Sequence, residues 1–134
     1  MLSRQVLIEP KDDIISLQSA FLRSKSLESR KILGQFFTGL VVSDYMASLI
    51  VKPKSKTIRI LDAGAGTGIL TASTALYCLG MGCQAVHAVL YELDGEAIAT
   101  LEQTLKIVEN KFSQQLATFT YEICCEDFVL TRPD

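Results

Sequence analysis

The spacing of apolar residues changes period several times along the chain, and each change marks an element. Ile14, Leu17 and Phe21, with Leu22 beside them, recur at helical spacing behind Pro10, which predicts an amphipathic helix starting near the cap candidates Asp12 and Asp13. The stretch from Arg23 to Lys31 is polar and basic, with Ser24, Ser26 and Ser29 interspersed, and reads as a solvated linker or an exposed helical turn. Val42, Tyr45, Met46, Leu49 and Ile50 then fall at i, i+3, i+4, i+7 and i+8, a second helix with Ser43 as its expected cap. Lys52-Pro53-Lys54-Ser55-Lys56 stops it, because a residue before proline is pushed out of the helical region, and leaves a short cationic loop.

From there the pattern alternates between strand and helix. Ile58, Ile60 and Leu61 lead into a glycine-rich turn, after which Ile69, Ala72, Leu76 and Leu79 mark a helix ending at Gly80-Met81-Gly82. A second apolar run, Ala85 to Tyr91, ends in Glu92 and Asp94. Ile98, Leu101, Leu105 and Val108 follow at helical spacing, with Asp94 expected to cap a helix starting near Gly95. Phe119, Tyr121 and Ile123, alternating with Thr118, Thr120 and Glu122, carry a third strand, followed by Glu126-Asp127-Phe128. Strands alternating with helices at this spacing predict an α/β fold: a parallel sheet with right-handed crossovers and helices on its faces, preceded by N-terminal helices. The sheet is expected to be unfinished after its third strand, and an unpaired edge favours self-association.

Composition narrows the classes. With 134 residues, 49% of them hydrophobic and 21% charged, the chain suits one folded core rather than disorder. A net charge of -2 argues against a strong electrostatic grip on nucleic acid, so the main binding surface for any DNA substrate is expected elsewhere. Met1 to Pro10 has no continuous apolar core of signal-peptide length, and no run approaches the roughly 18 apolar residues of a bilayer span, so a cytoplasmic location is expected. Cys78, Cys83, Cys124 and Cys125 form no CxxC pair and have one histidine, His87, for company; they are read as buried reduced thiols rather than zinc ligands, and His87 as a packed core residue.

The chemistry is concentrated in Leu61-Asp62-Ala63-Gly64-Ala65-Gly66-Thr67-Gly68, where a buried parallel strand hands over to a helix. Glycines there permit positive φ and let the backbone approach a ligand beside the partial positive charge of a helix N-terminus, at the strand end where open α/β sheets bind ligands. Dinucleotide-binding turns are spaced G-x-G-x-x-G, whereas Gly66 and Gly68 are separated by one residue and Asp62 opens the turn. That carboxylate would repel a pyrophosphate and attract the ammonium group of a methionine-bearing cofactor. At the end of the next strand, Glu92 is placed to accept hydrogen bonds from both hydroxyls of a ribose.

Upstream, Lys31-Ile32-Leu33-Gly34-Gln35-Phe36-Phe37-Thr38, followed by Val42 and Met46, resembles the segment preceding the sheet in N6-adenine DNA methyltransferases of restriction-modification systems. That family includes type I modification subunits and fused type II restriction-methylation enzymes. In it the segment reads close to GQFFTP and closes over the methionine end of the cofactor. The resemblance implies a Rossmann-like S-adenosylmethionine-dependent methyltransferase fold over residues 31–134, with residues 1–30 as an N-terminal helix and linker. It implies S-adenosylmethionine as cofactor and DNA as substrate of the parent protein. The cofactor-binding set that follows from it is Gln35, Phe37 and Thr38; Asp62, Ala63, Gly64, Gly66 and Gly68; Glu92 and Leu93; and Asp127 with Phe128, the last two at the cofactor's adenine.

Two departures bear on activity. Gly39 stands where the family has proline, which loosens the turn into the following helix. The family's catalytic signature, Asn or Asp followed by Pro-Pro and an aromatic, is absent from the 134 residues, and no Ser/His/Asp or Cys/His set replaces it. No catalytic residue is assigned, and turnover by this chain alone is expected to be negligible, since the groups that would hold a flipped base are missing. Two alternatives stay open: an RNA or protein-glutamine methyltransferase fragment, and a non-catalytic cofactor-binding or interaction module.

Overall fold

A computed structural model describes residues 4–25, 39–50 and 55–131. Helix α1, Arg4–Ser24, starts well before the expected caps and runs through Pro10. Proline withdraws one N–H from the helical ladder, a local loss that this helix accommodates instead of ending. Its buried residues include Ile14 and Phe21, as their spacing predicts, but also Gln18 between them.

Helix α2, Leu40–Ser48, is capped by Gly39 and not by Ser43, which lies inside it. The stripe whose period predicts this helix is not its buried face. Ser43 and Ala47 point inward, while Val42, Tyr45, Met46 and Leu49 are exposed. The neighbour is helix α3, Ile69–Gly80, and small side chains let two helix backbones approach closely.

The sheet consists of β1, Thr57–Asp62, β2, Ala85–Tyr91, and β3, Thr118–Cys124, all parallel in the order β1-β2-β3. Helix α4, Gly95–Gln114, joins β2 to β3, and a single turn, α5, spans Phe128–Thr131. The parallel sheet with its crossover helices is what the alternating pattern predicts, and it agrees with the Rossmann-like fold that the resemblance implies. Among the described residues, β1 has a neighbouring strand on one side only.

One core holds these elements together. Ile69, Ala72, Leu76 and Leu79 of α3 and Leu101, Leu105, Val108 and Phe112 of α4 meet Val86, Ala88 and Leu90 of β2, with Ile14 of α1 in the same cluster. Helices on both faces of the sheet were expected, but among the described residues only one face is packed: Arg59, His87, Val89, Tyr91, Thr120 and Glu122 point the other way and are half-buried or exposed. His87 is therefore not a core residue; its Nδ1 lies 2.7 Å from Thr120 Oγ1 on that open face. Cys78 and Cys83 are buried as expected, and burial pushes the Cys78 thiol up to about 11, whereas Cys124 is half-buried and Cys125 exposed because they lie past the packed part of β3. No helix among the described residues is long and apolar enough to cross a membrane.

Candidate functional site

Parallel strands bring their carboxyl ends to one edge of the sheet, and the chemistry-bearing residues collect there. Asp62 is the last residue of β1. Its Oδ1 accepts from the Gly64 N–H at 3.4 Å and its Oδ2 from the Thr71 hydroxyl at 2.6 Å, which fastens the strand end to the first turns of α3. The turn then passes through Gly66, φ 56°, and Gly68, φ 88°, both in the left-handed region. Ala65 N–H donates to Tyr91 C=O at 2.9 Å and so binds the turn to β2.

The glycines have separate reasons. At Gly68, the N-cap of α3, an added Cβ would sit 2.6 Å from Leu101 Cδ1 of α4, so the fold itself demands glycine there. At Gly64 an added Cβ would meet nothing within 4 Å, and the backbone faces open space. An open cavity of about 260 Å³ lies beside the end of β1, lined by Met46, Leu61, Asp62, Ala63 and Thr71 among others. A larger groove of about 1010 Å³, bordered by Leu17, Glu102, Lys106 and Tyr121, touches none of the sequence-predicted residues.

Glu92 reaches the turn from the end of β2. It is 8% exposed, its Oε1 accepts from the Gly66 N–H at 2.9 Å, and its Oε2 accepts from the Asp94 N–H at 3.3 Å. The acid after β2 and the glycine turn after β1 are thus joined directly. Leu93 beside it is exposed, and Asp94 caps α4 as expected, accepting from the Glu96 N–H at 3.0 Å. After β3, Asp127 Oδ1 accepts from the Val129 N–H at 2.9 Å, a helix-capping contact, and Phe128 meets the Tyr91 ring edge-on with centroids 5.1 Å apart. Gln35, Phe37 and Thr38 lie outside the described residues.

Sequence reasoning missed two residues that tie the N-terminal segment to this site, Gln18 in α1 and Lys25 just past its end. Gln18 Oε1 accepts from the Thr67 hydroxyl at 2.6 Å in a buried contact. Lys25, read as part of a solvated stretch, is 8% exposed in its side chain, with Nζ 2.6 Å from Glu96 and 3.4 Å from Asp94. Gln18 left a signal, a polar residue at i+4 from Ile14 on the apolar stripe; Lys25 left none, since its partners lie in a distant part of the chain. The Glu96 carboxylate, against the desolvation of burial and with help from Asp94, holds the Lys25 ammonium above the ordinary lysine range. The ion pair's contribution is therefore intact below the ordinary lysine pKa and is lost only as pH rises through the elevated one.

No family model matches the chain. Among curated proteins it is similar to the type II methyltransferase M.BsuBI of Bacillus subtilis, 29% identical over 103 residues that make up 77% of this chain and 20% of that protein. It is also similar to the type II methyltransferase M.PstI of Providencia stuartii, 30% identical over 100 residues, 75% of this chain and 20% of that protein. The chain thus spans about a fifth of the length of the curated relatives it matches. A span of 100 residues in a chain of 134 cannot avoid the middle, so the matched part takes in the turn from Asp62 to Gly68 and Glu92. Over about three quarters of its length, then, the chain is related to type II methyltransferases.

Proposed function

We propose that residues 31–134 are the S-adenosylmethionine-binding portion of a site-specific DNA methyltransferase acting on adenine N6, with α1 packed onto that module from the N-terminal segment. The observation that carries this reading is the Gly66 to Glu92 hydrogen bond, which joins the glycine turn to a nearly buried carboxylate. An ionised carboxylate offers about four lone-pair sites. Two are taken by Gly66 and Asp94, which leaves capacity for two ribose hydroxyls.

In this reading the exposed backbone around Ala63 and Gly64 lets the ligand approach, and Gly66 and Gly68 shape the turn. Asp62 supplies negative charge toward the methionine ammonium. Leu93 and Phe128 offer apolar surface to the adenine, with Asp127 as its polar neighbour, and Gln35, Phe37 and Thr38 cover the methionine end. S-adenosylmethionine, when bound, supplies an activated methyl group on sulfur. The relatives' description as type II methyltransferases favours DNA over the RNA and protein-glutamine alternatives.

The choice of ligand tests the reading. The chain is expected to melt at higher temperature with S-adenosylmethionine or S-adenosylhomocysteine and not with NAD, and to transfer no methyl group to DNA unaided. Stabilisation by NAD alone would refute the cofactor assignment. Self-association through the free edge of β1 is part of the same proposal. Sedimentation should show mass rising with concentration, and a strict monomer would count against it.

A further inference from the structure

Helix α1 and Lys25, the residue just past its end, reach both loops of the candidate site with polar side chains that the helix's own folding does not require. Gln18 lies on the row of Ile14 and Phe21, where an apolar residue would serve the core, yet it holds the hydroxyl of Thr67, which is itself 2% exposed and stands between the left-handed glycines 66 and 68. Two turns further on, Lys25 holds Asp94 and Glu96 at the start of α4, two residues past Glu92. Burying polar groups is costly unless they are satisfied, and these are satisfied by the two loops of the site.

We propose that α1, with Lys25 at its C-terminal end, is a brace that fixes the Asp62–Gly68 and Glu92–Asp94 loops relative to each other, with Gln18 and Lys25 as positioning residues for the cofactor. The physical reason is pre-organisation. A glycine-rich turn loses more conformational freedom on ordering than other backbone, and a turn already held before the ligand arrives spares binding that loss. The link to the cofactor rests on the function proposed above; the bracing of the loops does not.

Amide hydrogen exchange without ligand, combined with calorimetry against S-adenosylhomocysteine, tests the two parts separately. The reporters are Gly66 and Gly68 in the turn and Glu96 and Ala97 at the start of α4, whose N–H groups are all hydrogen-bonded. In Gln18→Leu and in Thr67→Val, exchange at Gly66 and Gly68 should accelerate about tenfold, with affinity weakened by a similar factor, while Val86 and Ala88 in β2 stay unchanged. Thr67→Ser, which keeps the hydroxyl, should behave like the parent chain, and the double variant should be no worse than either single one. Lys25→Met should accelerate Glu96 and Ala97 in the same selective way.

Unchanged exchange at these amides, or a uniform acceleration that includes β2, overturns the brace. If Gln18→Leu does not fold, the contrast of Thr67→Ser with Thr67→Val decides. A parent chain that shows the local exchange effects but binds no S-adenosylhomocysteine would leave the brace standing and refute the cofactor reading instead.

Discussion

Replacing Glu92 with alanine is expected to weaken S-adenosylhomocysteine binding by about two to four orders of magnitude while the chain stays folded. The estimate comes from two charge-assisted hydrogen bonds to ribose hydroxyls at about 1.5–3 kcal/mol each. The folded state loses less, because the side chain lies at the sheet's edge rather than in its core and its protein partners are the single N–H groups of Gly66 and Asp94. Those bonds also end on an ionised carboxylate, but the one from Asp94 is long at 3.3 Å, so their loss is expected to lower stability by about 2–4 kcal/mol, which thermal melting would register as a drop of several degrees. Glu92→Gln, which keeps an acceptor for Gly66 but substitutes a donor for the other oxygen, should fall between the two in calorimetry. An alanine variant that binds as tightly as the parent would remove Glu92 from the ribose.

Gly68→Ala should do the opposite, damaging the fold first. At φ 88° an L residue pays the left-handed penalty of about 1–2 kcal/mol, and its Cβ would sit 2.6 Å from Leu101 Cδ1 and 3.3 Å from Thr104 Cγ2. Overpacking of that kind adds about 1–3 kcal/mol, so a fall in melting temperature on the order of 10 °C is expected. Gly64→Ala meets open space and should melt within a degree or two of the parent, but it intrudes where the ligand backbone approach is proposed and should lose affinity. Melting curves and calorimetry on the pair separate the structural glycine from the ligand-facing one. Equal stability of the two variants would contradict the account of the turn.

The succession from β1 to β3 was legible because its periods are unambiguous. Ile69, Ala72, Leu76 and Leu79 are all buried, as are Val86, Ala88 and Leu90. The placing of Asp62 to Gly68 and of Glu92 at neighbouring strand ends was legible too, since a strand followed by an acid or by glycines announces its carboxyl end. Other features depend on partners that sequence spacing does not name. The period of α2 finds the helix but not its orientation, because Ser43 and Ala47 are chosen by a close neighbour, α3, and not by hydropathy. The run Ala85 to Tyr91 reads as apolar on both sides, yet only alternate residues meet the helices. The contact of Gln18 with Thr67 spans 49 residues, and the reason for Gly68 lies on α4.

The most direct measurement is an NMR titration of the isotopically labelled chain with S-adenosylhomocysteine. Saturable shifts are expected at the backbone amides of Gly64, Gly66 and Glu92 together, with Val86 and Ala88 inside β2 unmoved. A folded sample whose amides do not respond, or whose saturable shifts gather around Lys106 and Tyr121 in the larger groove, would contradict the assignment of the cofactor to the glycine turn and Glu92.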